Sequence, residues 1–268
     1  MATTSSQYQV RALERALQIL GSFSLAEPEL SLSELSMATD LAPSTTLRML
    51  SILAQYGYVE RSAATDRYRI GVGMFERGSI YIQTTTVEAQ AKVPLADLAR
   101  ECNQTASLAV LDRGEIVHIA VFPPDRAIRY YAPLGQREMA HCTGLGKVLL
   151  SGLSDQELDE VVDQRGLPGR TDRTITTIAA LRAHLRRVRE QGYAIDNEES
   201  VVGLRCIAAP IFDDRNRIAA AMSASGSAAE FNEETIPGLL GAIKRTAGII
   251  SARLGNRVHQ RELVDTVG

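Results

Sequence analysis

Apolar residues recur at helical spacing along the first part of this 268-residue chain. A first helix is predicted over residues 10–23, because four apolar residues fall on one face at intervals of three or four. These residues are Val10, Leu13, Leu17 and Leu20. We expect this stripe to pack inward, with the polar residues of the helix on the side that faces water.

Two further helices are indicated by their boundary residues. Ser31 is followed three residues later by Glu34, which is the spacing of a capping box at the start of a short helix. Pro43 suits the first position of a third helix, and Gly57 suits a position just past its end, where a left-handed backbone is common. The third helix is expected to bury Leu47, Leu50 and Leu53 and to expose Ser44, Thr45 and Arg48.

Two short β-prone runs follow, at residues 58–61 and 67–70. The segment between them has a length that suits a hairpin with a loose tip. Three helices followed by a hairpin are the elements of a winged helix-turn-helix, in which one helix is narrow enough to enter the major groove of DNA. The candidate DNA-binding residues are Ser44, Thr45 and Arg48 on the third helix and Arg67 and Arg69 on the wing.

The pattern changes beyond residue 103, after a mainly helical segment at 76–102 in which a break is allowed near Pro94. Strands are predicted at 107–111, 115–122, 128–132, 192–196, 206–212 and 218–225. Helices are predicted at 143–150, 154–162, 177–190 and 235–254. This order indicates an α+β domain built on an antiparallel sheet.

The charge balance argues against a general attraction to nucleic acid. The chain has 29 Lys and Arg against 32 Asp and Glu, a net charge of -3. Residues 44–69 contain four arginines and two acids, so only the third helix and the wing have a positive balance, of +2. We expect modest non-specific affinity for DNA, and a dimer or larger assembly that combines several such surfaces.

Composition bears on where the protein is located in the cell and on the state of its cysteines. The mean hydropathy is −0.06, no apolar run is long enough to span a bilayer, and the polar start lacks the apolar core of a signal peptide. A cytoplasmic protein that does not use a membrane is expected. The three cysteines, Cys102, Cys142 and Cys206, are far apart and suit reduced thiols. No metal and no cofactor are predicted.

The chain resembles the IclR family of bacterial transcriptional regulators from residue 10 to residue 254. In the first part the resemblance lies in the segments Ala-Leu-Glu-Arg-Ala-Leu at 12–17, Leu-Ser-Glu-Leu at 32–35, Ser44 and Thr45 with Arg48, Gly-Tyr-Val at 57–59 and Tyr-Arg-Ile-Gly at 68–71. In the second it lies in Gly-Leu-Gly-Lys at 144–147, Arg189 with Gly-Tyr-Ala at 192–194, and Gly-Leu-Arg-Cys-Ile-Ala-Ala-Pro at 203–210.

The resemblance implies three parts: a winged helix-turn-helix DNA-binding domain at 1–75, a helical linker at 76–102 and a GAF-like effector-binding domain at 103–268. It implies a homodimer or tetramer on a palindromic operator in double-stranded DNA. The ligand either weakens DNA binding, as in a repressor, or repositions the protein to activate. The effector-binding residues that it implies are Gly144, Leu145, Asp196, Leu204, Cys206, Ser223 and Ser225, with Tyr130 as a wall of the pocket.

The chemistry of these residue types favours a small organic acid, with a hydroxylated aromatic acid as one form. Amides at the start of the helix at Gly144 favour a carboxylate, because unpaired N–H groups and the positive end of the helix dipole face it. Ser223 and Ser225 are two apart on a strand, so both hydroxyls project to one face. Asp196 can accept from a ligand hydroxyl, and Tyr130 can pack on a ring.

Other interpretations of the same residues stay open at this point. The polar face of the third helix is also what any solvated amphipathic helix shows. Cys206 could be the nucleophile of a small-molecule enzyme, although no histidine lies near it in sequence. His141, Cys142, Cys206 and Asp196 could hold zinc in a metal-dependent sensor. A regulator that is not an enzyme is the prediction.

Overall fold

The computed structural model describes residues 10–24, 26–84, 86–127 and 129–259. It divides into two compact units, Met1–Thr84 and Thr85–Gly268. The polar start of the chain, residue 85 of the predicted linker helix and residue 128 of a predicted strand lie outside the described residues. Each unit is described by itself.

The first unit has the predicted order of helices and strands. Its helices are α1 (Arg11–Gly21), α2 (Leu32–Thr39), α3 (Pro43–Gln55) and α4 (Val72–Thr84). Its strands are β1 (Glu29–Leu30), β2 (Val59–Arg61) and β3 (Tyr68–Ile70), and they form an antiparallel sheet in the order β1-β3-β2. The predicted hairpin is confirmed as β2 and β3, whereas the short strand β1 was not predicted.

Local signals explain where α2 and α3 begin and end. The Ser31 hydroxyl accepts from the Glu34 amide at 3.3 Å, and the Glu34 carboxylate accepts from the Ser31 amide at 2.7 Å, so the predicted capping box is confirmed. Pro43 opens α3. Gly57 follows the end of that helix with a φ of 72°, the left-handed conformation that glycine adopts without strain.

The apolar stripe predicted for α1 faces outward instead. Val10, Leu13 and Leu17 each expose more than half of their surface. Helix α1 packs through Ile19, which is fully buried, and through the partly buried Leu20. The prediction was wrong because α1 has apolar residues on two faces, and helical spacing alone does not show which face is buried.

The inward face of α3 also differs by one residue from the prediction. Leu50 and Leu53 are buried as expected, but Leu47 is exposed. Thr46 is buried in its place, at the i, i+4, i+7 positions shared with Leu50 and Leu53. A buried threonine needs a hydrogen-bond partner, and Thr46 donates to the Ala42 carbonyl at 3.3 Å.

The second unit contains both helices and strands. Its helices are α5 (Thr86–Cys102), α6 (Gly144–Ser151), α7 (Asp155–Arg165), α8 (Ile178–Gln191) and α9 (Ile236–Arg253). Its strands are β4 (Thr105–Asp112), β5 (Glu115–Phe122), β6 (Arg137–Met139), β7 (Ala194–Asn197), β8 (Leu204–Phe212) and β9 (Ile218–Ser227).

The described strands of this unit form one sheet in the order β6-β5-β4-β9-β8-β7, and every neighbouring pair is antiparallel. The predicted α+β class with an antiparallel sheet is therefore confirmed. One face of the sheet packs against α5 and α9, and the other packs against α6, α7 and α8. The face toward α6 carries the candidate ligand-binding residues.

One predicted strand of this unit was wrong, and the break that the sequence allowed near Pro94 does not occur at that residue. The described part of the segment at 128–132 is not a strand, and the sheet ends instead at β6. Pro94 lies inside α5 and does not break it. Proline cannot donate to the carbonyl four residues earlier, and here Arg253 of α9 donates to that carbonyl, on Gln90, at 3.2 Å. Among the described residues, no helix has the length and apolar character needed to cross a membrane.

Candidate functional site

Helix α3 presents the surface expected of a recognition helix. Ser44 is exposed and Thr45 is partly exposed in the first turn of the helix, and Arg48, which is also exposed, lies about one turn further on. Within the described part of this unit, Arg48 forms no ion pair, so its guanidinium is available for a phosphate or a base edge.

The wing arginines are engaged within their own unit. Arg67 donates to the Glu34 carboxylate at 2.6 Å and to the Glu29 carbonyl at 3.0 Å. Arg69 donates to the Glu60 carboxylate at 2.5 Å. Their side chains remain partly exposed, so they can still reach a ligand by exchanging partners. The positive charge that the sequence predicts for α3 and the wing is therefore partly neutralised by acidic side chains of the same unit.

The packing of α2 against α3 depends on a polar contact that the sequence did not indicate. The Ser36 hydroxyl donates to the Thr46 hydroxyl at 3.2 Å, and both residues are buried. Such a bond joins the two helices of the helix-turn-helix at a fixed distance. The signal in the sequence, a Thr at a position spaced for the core, is too weak to be interpreted without the fold.

A line of polar side chains crosses the sheet of the second unit on the face toward α6, and we name it the polar row. Strand register places its members on one face, because directly paired residues share a face and so do residues two apart. From β6 to β7 the row consists of Glu138, His118, Ser107, Ser223, Ser225, Cys206 and Asp196.

The N-terminus of α6 lies over the Cys206 end of the polar row. A methyl group added to Gly144 would lie 3.1 Å from the Cys206 Sγ atom, so glycine allows this close approach. The Thr143 hydroxyl accepts from the Gly146 amide at 3.1 Å and caps the helix. The amides of Gly144 and Leu145 precede the first intrahelical bonds and are free to bind an anion.

Several predicted effector-binding residues lie together where α6 meets the polar row, whereas the side chains of Leu145 and Leu204 lie elsewhere. Ser223 and Ser225 are buried with their hydroxyl oxygens 3.5 Å apart. Leu145 is on the helix, but its side chain packs in the apolar core, so only its amide faces the candidate site. Leu204 is partly buried at the start of β8, opposite Ser227.

Asp196 already has partners within the chain. Its carboxylate accepts from the Glu199 amide at 2.7 Å and from the Ser200 hydroxyl at 2.5 Å. Burial raises the pKa of Asp196 to about 6, despite these bonds. These bonds order the loop after β7 and leave further lone pairs on the carboxylate, so the role of Asp196 as an acceptor for a ligand hydroxyl stays a prediction.

The Tyr130 end of the polar row contains three residues that the sequence did not single out. The Tyr130 hydroxyl donates to the Glu138 carboxylate at 3.0 Å, and His118 Nε2 lies 3.6 Å from the other Glu138 oxygen. Burial acts to raise the pKa of Glu138, but His118 and Tyr130 outweigh it and lower that pKa. Ser107 completes the set on β4. For Ser107 and His118, the only available signal was a polar residue inside an apolar strand run.

A cavity of about 360 Å³ opens beside this end of the polar row. Its lining includes Tyr130, Glu138, Cys142, Thr143, Arg170 and Ser200. A larger groove, of about 820 Å³, lies along Leu149, Arg189 and Phe212. Of the predicted effector-binding residues, Tyr130 alone lines the smaller cavity and none lines the larger groove, so the candidate ligand site is the polar row, with the smaller cavity beside it.

A buried ion pair fixes α6 relative to the loop after β7. Lys147 is 0% exposed, and its ammonium group donates to the Ile195 carbonyl at 2.6 Å and to the Glu199 carboxylate. Lys147 belongs to the Gly-Leu-Gly-Lys segment, but its partner could not be identified from sequence because Glu199 is 52 residues away. The pair holds the helix whose N-terminus forms the candidate site.

The alternative chemistries receive little support from the geometry. Burial raises the pKa of Cys206 to about 12, so its thiol is protonated near neutral pH and is a poor nucleophile. Among the described residues, no group of three His, Cys, Asp or Glu side chains is placed to hold a metal ion.

Comparison with known proteins assigns the class. Residues 12–63 match the IclR helix-turn-helix domain, and residues 79–252 match the bacterial transcriptional regulator IclR C-terminal domain. The protein is therefore a DNA-binding transcriptional regulator with a C-terminal effector domain. The chain belongs to the IclR family. It is 35% identical to the HTH-type transcriptional repressor AllR of Salmonella typhi over 254 residues, which cover 95% of this chain and 93% of that protein.

Solved structures agree with this assignment. A crystal structure of a transcriptional regulator from Rhodococcus sp. RHA1 is 31% identical and covers 92% of this chain and 98% of that one, with a TM-score of 0.81. An IclR homologue from Microbacterium hydrocarbonoxydans, crystallised with 4-hydroxybenzoate, has the same fold, with a TM-score of 0.81 and 22% identity. That match covers 91% of this chain and 98% of the other.

Proposed function

We propose that this chain is a repressor whose affinity for DNA is controlled by a small organic acid bound between α6 and the polar row. The observation that carries the proposal is the close approach of Gly144 to Cys206. It brings unpaired helix amides, which favour negative charge, over the buried hydroxyls of Ser223 and Ser225. A carboxylate there would gain several hydrogen bonds, which have to outweigh its repulsion by the Asp196 carboxylate beside Cys206.

The proposed ligand is a carboxylate, with a hydroxylated aromatic acid as the favoured form. Its carboxylate would bind the amides of Gly144 and Leu145, and Tyr130 would pack against its ring. Leu204 and Cys206 would form walls. The 4-hydroxybenzoate complex of the Microbacterium protein supports this class, because that protein has the same fold.

The proposed DNA contacts come from Ser44, Thr45 and Arg48 in the major groove and from Arg67 and Arg69 on the wing. The DNA-binding domain would comprise residues 1–75, the helical linker 76–102 and the effector domain 103–268. A homodimer or tetramer in the cytoplasm would place several winged units on a palindromic operator. This arrangement compensates for the few free cationic groups on each unit.

A gel-shift assay with the upstream DNA of the protein's own gene tests the DNA-binding part. Arg48→Ala should weaken the complex at least about tenfold, because one charge-assisted bond to DNA is lost. Arg186→Ala, at an exposed position on α8, is the matched control and should leave the complex unchanged. Equal loss in both variants, or no loss in either, would contradict the recognition role of α3.

Titration calorimetry tests the ligand part. The full-length protein should bind benzoate-type acids and fail to bind the corresponding amides, because only the acids carry the charge that the α6 amides stabilise. A bound acid should also release the DNA in the gel-shift assay. Equal binding of acid and amide would contradict the role given to the carboxylate charge. If a bound acid strengthens DNA binding, the assignment as a repressor would be wrong.

A further inference from the structure

Two buried side chains in the polar row have no hydrogen-bond partner. They are the Ser107 hydroxyl and both ring nitrogens of His118, on residues that are 1% and 2% exposed. The nearest approach, 3.6 Å from His118 Nε2 to Glu138, is too long for a hydrogen bond. Buried polar groups are normally paired, so two adjacent exceptions mark a place where a ligand supplies the partners.

Their position in the sheet sets the distance from the anion-binding end. Gly144 lies over β8, whereas Ser107 is on β4, two strands away, and His118 is on β5, three strands away. Neighbouring strands are about 4.8 Å apart, so Ser107 lies roughly 10 Å from the strand beneath the α6 amides. After a hydrogen-bond length of about 3 Å is subtracted at each end, a molecule that reaches from the α6 amides to Ser107 must span about 4 Å, and one that reaches His118 about 8 Å.

The groups at that far end select for a neutral hydroxyl. A hydroxyl both donates and accepts, so it can pair with the Ser107 hydroxyl and with a ring nitrogen of His118 whether or not that nitrogen carries a proton. The Glu138 carboxylate stands beside His118, and it would repel a second carboxylate at the same place. A purely apolar end would leave Ser107 and His118 without partners.

We propose that Ser107 and His118 are specificity-determining residues, and that the effector is a monocarboxylic acid with a hydroxyl group at the end remote from its carboxylate. The inference rests on the effector site proposed above, with the carboxylate at Gly144 and Leu145. It adds what the far end of the ligand must be, and it excludes dicarboxylic acids and acids without the hydroxyl.

The experiment compares two sets of three probes by calorimetry on the full-length protein. The aromatic set is 4-hydroxybenzoate, benzoate and terephthalate, and the aliphatic set is 6-hydroxyhexanoate, hexanoate and adipate. In at least one set the hydroxy acid should bind tenfold or more tightly than the acid without the hydroxyl, and the dicarboxylate should bind most weakly.

Variants assign that preference to the two residues. Ser107→Ala and His118→Phe should each reduce the preference to threefold or less while the affinity for the acid without the hydroxyl stays the same. Thr176→Ala, at an exposed position, is the control and should keep the full preference. His118→Asn retains a polar group and replaces His118→Phe if the latter does not fold.

Ser107→Ala has a second readout that does not depend on any ligand. Because the Ser107 hydroxyl has no partner, its removal should raise the melting temperature of the ligand-free protein while it weakens binding of the hydroxy acid. A lower melting temperature would mean that the hydroxyl is satisfied within the chain, and would overturn the inference.

The remaining outcomes separate this inference from the proposed function. If acids bind but the hydroxyl adds no affinity, or if the variants keep the preference, the roles of Ser107 and His118 are wrong and the proposed acid site stands. If none of the six probes binds, the proposed acid site fails and the inference fails with it.

Discussion

Lys147 illustrates how one residue can hold a site without lining it. Its ammonium group is fully buried and meets the Glu199 carboxylate, whose second oxygen has no partner. Two opposite charges buried together cost desolvation, and their attraction offsets that cost only while both are present. The pair therefore gives little net stability, but each partner depends strongly on the other.

Lys147→Met tests this dependence. The variant leaves the Glu199 charge buried without its donor, and we expect the free energy of unfolding to fall by about 3 to 5 kcal/mol. The double variant Lys147→Met, Glu199→Leu should recover most of that loss, because no buried charge remains. Lys92→Met, at an exposed position on α5, should change stability by less than about 0.5 kcal/mol. Urea denaturation measures all three, and a double variant as unstable as the single one would contradict the explanation.

At the scale of elements, the start of α6 depends on backbone close approach. A methyl group at Gly146 would lie 2.1 Å from the Ala140 carbonyl oxygen, which no real structure tolerates. The short 3-10 turn at Ala140–Cys142 therefore packs directly on the first turn of the helix. The glycines at 144 and 146 place the free amides over the polar row, and this is why both are needed.

Gly146→Ala should displace α6 from that turn, lower the melting temperature by several degrees and weaken acid binding. Gly238→Ala is the matched control, because it lies in the first turn of another helix, α9, and a methyl group there would meet no atom within 4 Å. The control should be neutral or stabilising by up to about 1 kcal/mol, since alanine favours helices. Comparable destabilisation in the two variants would show that the effect is one of helix propensity, not of close approach.

Considered as a whole, the chain carries a net negative charge and yet has to bind DNA, which is also negatively charged. Three of the four arginines between residues 44 and 69 are paired with acids, as Arg61 with Asp66, Arg67 with Glu34 and Arg69 with Glu60. Each winged unit therefore offers few free cations, and affinity has to come from specific contacts and from the number of units.

The salt dependence of DNA binding tests this account. The slope of the logarithm of affinity against the logarithm of salt concentration should correspond to about one to three phosphate contacts per winged unit. Glu60→Gln removes the nearer of the two carboxylates that pair with Arg69, the other being Glu29, and should raise both the slope and the non-specific affinity. Glu14→Gln removes the same charge from an exposed position on α1 and should have a smaller effect. Fluorescence anisotropy measures both, and equal effects would mean that total charge matters and the pairing does not.

Prediction from sequence succeeded where neighbouring residues decide the structure. The capping box at Ser31, the helix start at Pro43 and the left-handed glycine at Gly57 involve residues within a few positions of each other, and all three form as the pattern indicates. It failed where packing decides, as in the outward stripe of α1 and the exposed Leu47 of α3.

The winged helix-turn-helix and the helix that begins near Gly144 could be predicted from the sequence, because capping, turn chemistry and hydrophobic periodicity act over short distances along the chain. The set of residues that share the candidate ligand site could not be predicted in the same way, because it depends on how the strands pair. Ser107, His118 and Glu138 come from three strands, and strand register alone brings them into line with Ser223. Pairing between distant strands depends on the whole sheet, so no local pattern could have placed them together.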